Sequence, residues 1–381
     1  MKLVIAMDSF KGSISSLEAG NAVRKAAEGV IPNVNTVVLP LADGGEGTAY
    51  TLTYGMGGSM RHIKVKDPLG RSVTASYGTV PQLGIAVIEI AQAAGLVLIP
   101  AELRNPMLTT TFGVGEMISD AMDLGYRNFI IGLGGSGTND AGLGMLTALG
   151  YKFFDADGNP VGISGKDTCK VSSADISEAD PRLAECKFKI ACDVNNPLCG
   201  SNGASAVFGP QKGASPDMVA ALDEGLRSFA SISDKALGCS HSLTPGAGAA
   251  GGLGYAFLAY LNASVHKGVD VVLEAVNAEE AIKDADIVVT GEGKIDAQTL
   301  MGKAPAGVAA LAKKYGKMVI AFAGAVDKDV VDYNGSEIDA VFSIQQCPIS
   351  LEDAMCASNA ADNLRATAIQ VFKLLRCMIA Q

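Results

Sequence analysis

Tryptophan is absent, and histidine occurs only three times in 381 residues. Without Trp, the usual large platform for stacking a nucleobase is missing. His62, His241 and His266 stand in ordinary contexts, so zinc chemistry and a Ser-His-Asp hydrolase have little support. Eight cysteines are scattered without a C-x-x-C pair. Cys192 and Cys199 are too far apart for a zinc knuckle. A disulfide framework is therefore not expected, and a reducing cytoplasm is the default compartment. No apolar run reaches the ~18 residues of a membrane span. The segment from Met1 to Met7 is too short for a signal peptide and reads as a first strand. Basic residues are outnumbered, 30 against 40 acidic, for a net charge of −10. That balance argues against a nucleic-acid surface. The P-loop pattern GxxxxGK[ST], the protein-kinase HRD and DFG triplets and the G-x-S-x-G elbow are all missing, which excludes those three classes at the level of motif.

What the chain has in excess is glycine, 45 residues without a collagen-like period. The surplus belongs in turns and ligand loops. At 48% hydrophobic the chain can bury a sizeable core, and its length suits about two domains. Lys2 to Met7 reads as a strand that ends in Asp8-Ser9-Phe10-Lys11-Gly12-Ser13, and Ser15-x-x-Glu18 then forms a capping box. Val34 to Leu39 is the next strand, ending in Ala42-Asp43-Gly44-Gly45-Glu46-Gly47-Thr48 before another helix. Strand, charged loop and helix, twice over, predict a parallel sheet with ligands beyond its carboxyl ends.

The pattern changes at Asp67-Pro68-Leu69-Gly70-Arg71. Short strands at 72–77 and 85–90 follow, then strands running into Gly134-Gly135-Ser136-Gly137-Thr138-Asn139-Asp140 and into Asp193-Val194-Asn195. Residues 216–237 read as a helix. After Ile287 the regular alternation returns. The expected organisation is a discontinuous domain, residues 1–66 plus 287–381, interrupted by an inserted mixed α/β domain at 67–286. The stretch Thr290-Gly291-Glu292-Gly293-Lys294-Ile295-Asp296 reads as a charged loop after the strand 287–289, closed by Gly302-Lys303 before a helix near Pro305.

Asp8, Asp43, Asp140, Asp193 and Asp296 each follow or end an apolar strand in a small-residue loop. One such carboxylate is often a helix cap. Five at corresponding positions suggest a site in which perhaps two hold Mg²⁺ and one acts as general base. Lys11, just ahead of a helix N-terminus, suits an anion; Lys212, Lys294 and Lys303 are weaker candidates. Two stretches match GxGxxG, at 132–137 and 246–251. Both read as backbone cradles for phosphate or carboxylate oxygens. The first has a strand before it and Asp155 about 20 residues on, so a nicotinamide-dependent oxidoreductase stands as a rival reading. A non-catalytic small-acid binding protein is a second rival.

Taken together, these motifs resemble the bacterial glycerate kinase family that acts on D-glycerate. The matching stretches are those at 8–13, 42–48, 134–140 and 193–198, then Phe208-Gly209-Pro210-Gln211-Lys212-Gly213, the glycine run 246–254 and the segment 290–305. They occur in family order over nearly the whole chain. Met7 stands where the family usually has proline, and Asn195 where it usually has threonine. The resemblance implies a flavodoxin-like domain interrupted by a second α/β domain, with the active site in the cleft between them. It implies ATP-dependent phosphorylation of D-glycerate at the 2-hydroxyl, with Mg²⁺. On that basis Lys11 and Asp193 are the expected catalytic residues. Asp8, Ser9, Ser13, Gly134, Gly135, Ser136, Thr138, Asn139, Asn195, Lys212, Gly251, Gly252, Glu292, Lys294 and Lys303 are expected to bind substrate or phosphate. Asp43, Glu46, Asp140 and Asp296 are expected to hold the metal.

Overall fold

The computed structural model describes residues 1–42, 47–300, 303–328 and 337–379. Asp43 and Glu46, two of the expected metal ligands, lie outside the described residues. In chain order the strands are β1 Lys2–Met7, β2 Asn35–Pro40, β3 Ser59–Lys66, β4 Ser72–Val80, β5 Ile85–Glu89, β6 Asn128–Gly132, β7 Lys152–Phe154, β8 Ser173–Asp175, β9 Lys187–Ala191, β10 Ser264–His266, β11 Ile287–Ile295, β12 Met318–Val326 and β13 Ala340–Ser343. The chain divides into two units, Met1–Asp43 with Val272–Gln381, and Gly44–Val271.

The first unit holds a sheet of order β13-β12-β11-β1-β2 with every pairing parallel. Counted within the unit alone this order is 2-1-3-4-5, the flavodoxin-like winding, whose switch point lies between its first and third strands. Helices cover both faces of such a sheet, so its strands read as continuous apolar runs. Leu3 to Met7 are accordingly all fully buried. Ile5 and Phe322 share a core with Val23 and Ala27 of the helix Ser16–Val30 and Leu364 and Phe372 of the helix Ala357–Ile379. The expected capping box forms: Glu18 Oε2 accepts the Ser15 N–H at 2.8 Å while Ser15 Oγ accepts the Glu18 N–H at 3.3 Å.

One expectation for this unit fails. Residues 290–295 are not a loop. β11 runs straight through them, paired with β12 from Ile287↔Met318 to Ile295↔Val326. The glycines permit this by absence of bulk, since a Cβ on Gly291 would sit 2.1 Å from the Phe322 carbonyl oxygen. Strand alternation then places Glu292 and Lys294 on one face.

The second unit holds a sheet of order β10-β9-β6-β5-β4-β3. The four strands from β10 to β5 pair in parallel, and β4 and β3 add on antiparallel. Because β3 pairs with β4 from Ser59↔Thr79 to Lys66↔Ser72, residues 59–66 belong to this sheet, ahead of the boundary the sequence suggested at 66. Residues 272–286 likewise fall in the first unit. The core is aromatic, with Phe129 stacked on Phe188 at 4.8 Å and Phe153, Phe229 and Tyr260 clustered beside it. The helix Pro216–Leu237 forms as predicted, capped by Ser215 and by Gly238 in the left-handed region.

Candidate active site

Ligands of open parallel sheets bind beyond the carboxyl ends of the strands, where the order reverses. In the first unit that point is the β1/β11 edge. Leaving β1, the Asp8 N–H donates to the Gly291 carbonyl at 2.8 Å, and buried Asp8 accepts the Ser9 N–H at 2.6 Å. The chain then folds into a tight turn, Phe10 N–H to Ile14 O at 2.9 Å and Ser13 N–H to Phe10 O at 2.8 Å, with Gly12 at φ +76°. Lys11 is carried at the tip, exposed. Ser13 Oγ is buried with no hydrogen-bond partner.

β11 contributes Glu292, whose side chain is buried and whose Oε1 has no partner. Burial drives its pKa up; the Thr299 hydroxyl and the charge of Lys303 oppose this, Asp296 adds to it and Lys11 opposes it. Lys294 projects outward between Asp296 at 3.6 Å and Asp327 at 3.7 Å. Lys303 stands at the start of the helix Ala304–Lys314, which has Pro in its first turn, without a side-chain cap bond. A cavity of about 650 Å³ is lined by Ser9, Lys11, Ser13, Glu292, Lys294, Asp296 and Lys303, among others. Seven expected site residues from distant parts of the sequence thus share one hollow. Asp8 is not in its lining and instead positions Ser9. In the α-helix that follows Lys11, Ser15 and Glu18 already occupy donors at its start.

The second unit treats its expected residues differently. Gly134 and Gly135 are exposed just past β6. Lys212 is buried; its Nζ donates to Ser136 Oγ at 2.9 Å and to the Thr138 carbonyl at 2.7 Å. Burial lowers its pKa to about 7, against the pull of Asp140. A neutral amine still donates two hydrogens, which the two acceptors take. Asp140 is wholly buried. It accepts from the Thr111 N–H and hydroxyl at 2.8 Å each and from the Gly142 and Gly144 N–H groups at 3.2 Å each. Burial raises its pKa and these donors oppose the rise. With its oxygens engaged and no exposure, Asp140 anchors the loop and has no open position for the metal once expected of it.

The glycine run 246–254 is buried from end to end. Gly251 and Gly252 take φ +69° and +89°, and a Cβ on Gly251 would lie 2.1 Å from the Thr138 carbonyl oxygen. Its role is to back the 138–141 segment, Gly251 O accepting the Ala141 N–H at 3.1 Å, and not to cradle phosphate. Asn139 Nδ2 donates to Ser205 Oγ at 2.8 Å, while Asn139 Oδ1 and Thr138 Oγ1 are buried without partners. Asp193 is exposed beyond β9 and accepts the Gly268 N–H at 2.9 Å, at the start of the helix Gly268–Ala275. Asn195 is exposed nearby in sequence. Asp155 accepts the Asp157 and Asn159 N–H groups of its own turn at 2.9 Å each, which removes the ribose role the dinucleotide pattern would give it.

Arg104 and Gln345, which the sequence did not flag, carry buried atoms with no partner among the described residues. Arg104 Nε has no partner, and its carbonyl backs Gly213, where a Cβ would come within 2.3 Å. Gln345 Oε1, just after β13, is likewise unpartnered. Arg104 carries no signal in Leu103-Arg104-Asn105-Pro106; Gln345 could have been found from its place at a parallel strand's carboxyl end. Among the described residues no group of three or more His, Cys, Asp or Glu gathers for a metal. Mg²⁺ asks for only one or two carboxylates beside phosphate oxygens and water, and Glu292, whose Oε1 has no partner among the described residues, fits that need with Asp296.

A flavodoxin-wound sheet with lysines and an unsatisfied carboxylate at its switch point, carrying a second α/β unit in its sequence, defines a class of two-unit enzymes that handle small anions. Residues 3–376 match the glycerate kinase family. The chain is 47% identical over 368 residues to the glycerate kinase of Bacillus subtilis (strain 168), spanning 97% of this chain and 96% of that one. It is 47% identical over 364 residues to the glycerate 2-kinase of Escherichia coli (strain K12), spanning 96% and 95%. The crystal structure of a proposed glycerate kinase 2 from Salmonella typhimurium LT2 superposes with a TM-score of 0.92 at 43% identity, covering 100% of both chains. This chain belongs to the glycerate kinase family. No helix among the described residues is long and apolar enough to cross a membrane.

Proposed function

We propose that the protein transfers the terminal phosphoryl group of ATP directly, in line, to the 2-hydroxyl of D-glycerate, giving 2-phosphoglycerate. The observation that carries this reading is Glu292: a buried carboxylate oxygen with no partner, set among Lys11, Lys303 and Asp296. A buried polar atom left unpaired costs about 1–3 kcal/mol and persists where a ligand completes it. Lys11 and Lys303 bind and neutralise the transferring phosphate, which is where most of the rate in such reactions arises. Glu292 and Asp296 would hold Mg²⁺, which when bound supplies further charge neutralisation on the phosphates. Asp193, exposed beyond β9 and steadied by the Gly268 N–H, accepts the hydroxyl proton. Arg104 Nε and Asn139 Oδ1, a donor and an acceptor of the second unit with no partner among the described residues, suit the carboxylate and hydroxyls of glycerate. The eight unpaired thiols support a reducing, cytoplasmic location.

Phosphorus NMR of the product from D-glycerate and ATP tests the reaction in one step. The phosphate is expected on C2. A product phosphorylated on C3 replaces the acceptor, and turnover of NAD with no phosphorylated product removes the reading.

A further inference from the structure

The first unit's cavity is larger and greasier than a triphosphate needs. Beyond its lysines it is lined by Ile344, Pro348, Ile349, Leu351 and Met355. Ile349, Leu351 and Met355 are 41%, 76% and 40% exposed, although apolar side chains gain by leaving water. The apolar wall abuts the phosphate end: a Cβ on Gly12, next to Lys11, would come within 2.7 Å of Met355 Cε. Among these residues stands Gln345, which also lines the cavity and whose buried Oε1 has no donor among the described residues. A flat apolar ligand carrying one N–H donor would satisfy the wall and the orphaned oxygen together.

We propose that this cavity takes the nucleoside of the phosphoryl donor, with the base on the Ile344, Ile349 and Met355 wall and its 6-amino group donating to Gln345 Oε1, so that Gln345 selects adenine. The proposal rests on the ATP-dependent reading above. Hypoxanthine differs from adenine by an oxygen in place of that amino group, which would set acceptor against acceptor. A site built to hydrogen-bond a substrate N–H rejects the analogue lacking it far more strongly than an apolar pocket rejects a change of shape.

The test compares ATP with ITP on the full-length protein, by calorimetric binding without glycerate and by kinetics with it. Wild type is expected to bind ATP at least about tenfold more tightly than ITP, with the same ratio in kcat/KM. Gln345→Leu is expected to bring the two nucleotides within about threefold, raise KM for ATP and leave KM for glycerate unchanged. Met355→Glu, at a half-exposed position, is expected to weaken both nucleotides with an unchanged unfolding temperature. Equal binding of ATP and ITP by wild type, or a preference that survives Gln345→Leu, overturns the proposal while leaving glycerate phosphorylation intact. Absence of phosphorylated glycerate with every nucleotide overturns the functional reading instead, and the binding measurements still decide the site.

Discussion

The two units use the same residue types in opposite ways. In the second, Lys212 and Asp140 are buried and spent inward, on Ser136, Thr138, Thr111 and two glycine amides. In the first, Glu292, Ser13 and Gln345 are held at a cavity with polar atoms that nothing among the described residues completes. A satisfied buried charge fixes a shape, whereas an unsatisfied one reserves a place for something else. Proximity of lysines and carboxylates in sequence does not distinguish the two cases; the count of partners does.

Substitutions can break this contrast. The largest effect is expected from Asp140→Ala, which strands four donors in the second unit's core. It should cost about 4 kcal/mol or more, read as a fall in the denaturant midpoint; a change under about 0.5 kcal/mol would mean Asp140 is no anchor. Glu292→Gln should do the reverse. Turnover should drop by about 10²–10³, yet the folded protein should gain stability at neutral pH. The carboxyl holds its proton more tightly folded than unfolded, so its contribution falls as pH rises from the ordinary carboxylate range through the raised value. The gain from the substitution, present at pH 8, should therefore vanish near pH 4. A variant equally active, or less stable at pH 8, would return Glu292 to a structural role.

Lys11→Ala sharpens the comparison further. It should lower glycerate-dependent ADP release by about 10–100-fold while stability moves by less than about 0.5 kcal/mol, and unchanged turnover would remove Lys11 from the mechanism. The smallest effect is a slope. Lys212 holds its proton less tightly folded, near a pKa of about 7, than unfolded. Between pH 7 and the ordinary lysine range the unfolded chain binds more protons, so stability rises with pH. Lys212→Met should erase that rise, at most about 1.4 kcal/mol per pH unit, in denaturant titrations at pH 6.5 and 8.5.

Much of this arrangement was legible before any coordinate. Apolar runs with charged small-residue endings gave the parallel sheets, and the box at Ser15 and Glu18 gave the first helix its start. Lys11, Glu292, Asp296 and Lys303 line one hollow, because strand ends of a parallel sheet converge by topology. Partner counts were not legible. Asp140 reads like Asp296 in sequence, and only packing shows that Thr111, nearly thirty positions earlier, has claimed it. The glycine run 246–254 reads like a phosphate cradle, but glycine serves close backbone approach of either kind, and here the backbone approached is the protein's own. The charged stretch 290–295 looked like a loop because polar residues and glycines weaken any strand signal; pairing with β12 overrode local preference.

That last element sets a limit on how the enzyme can change. Glu292 is borne on a paired strand and not on a hinge or tip, and side chains on a strand face alternate sides. A single residue inserted or deleted between Ile287 and Glu292 would turn the carboxylate, and every side chain beyond the change, to the opposite face. Point replacement along β11 keeps Glu292 on its face, whereas a change of length there does not.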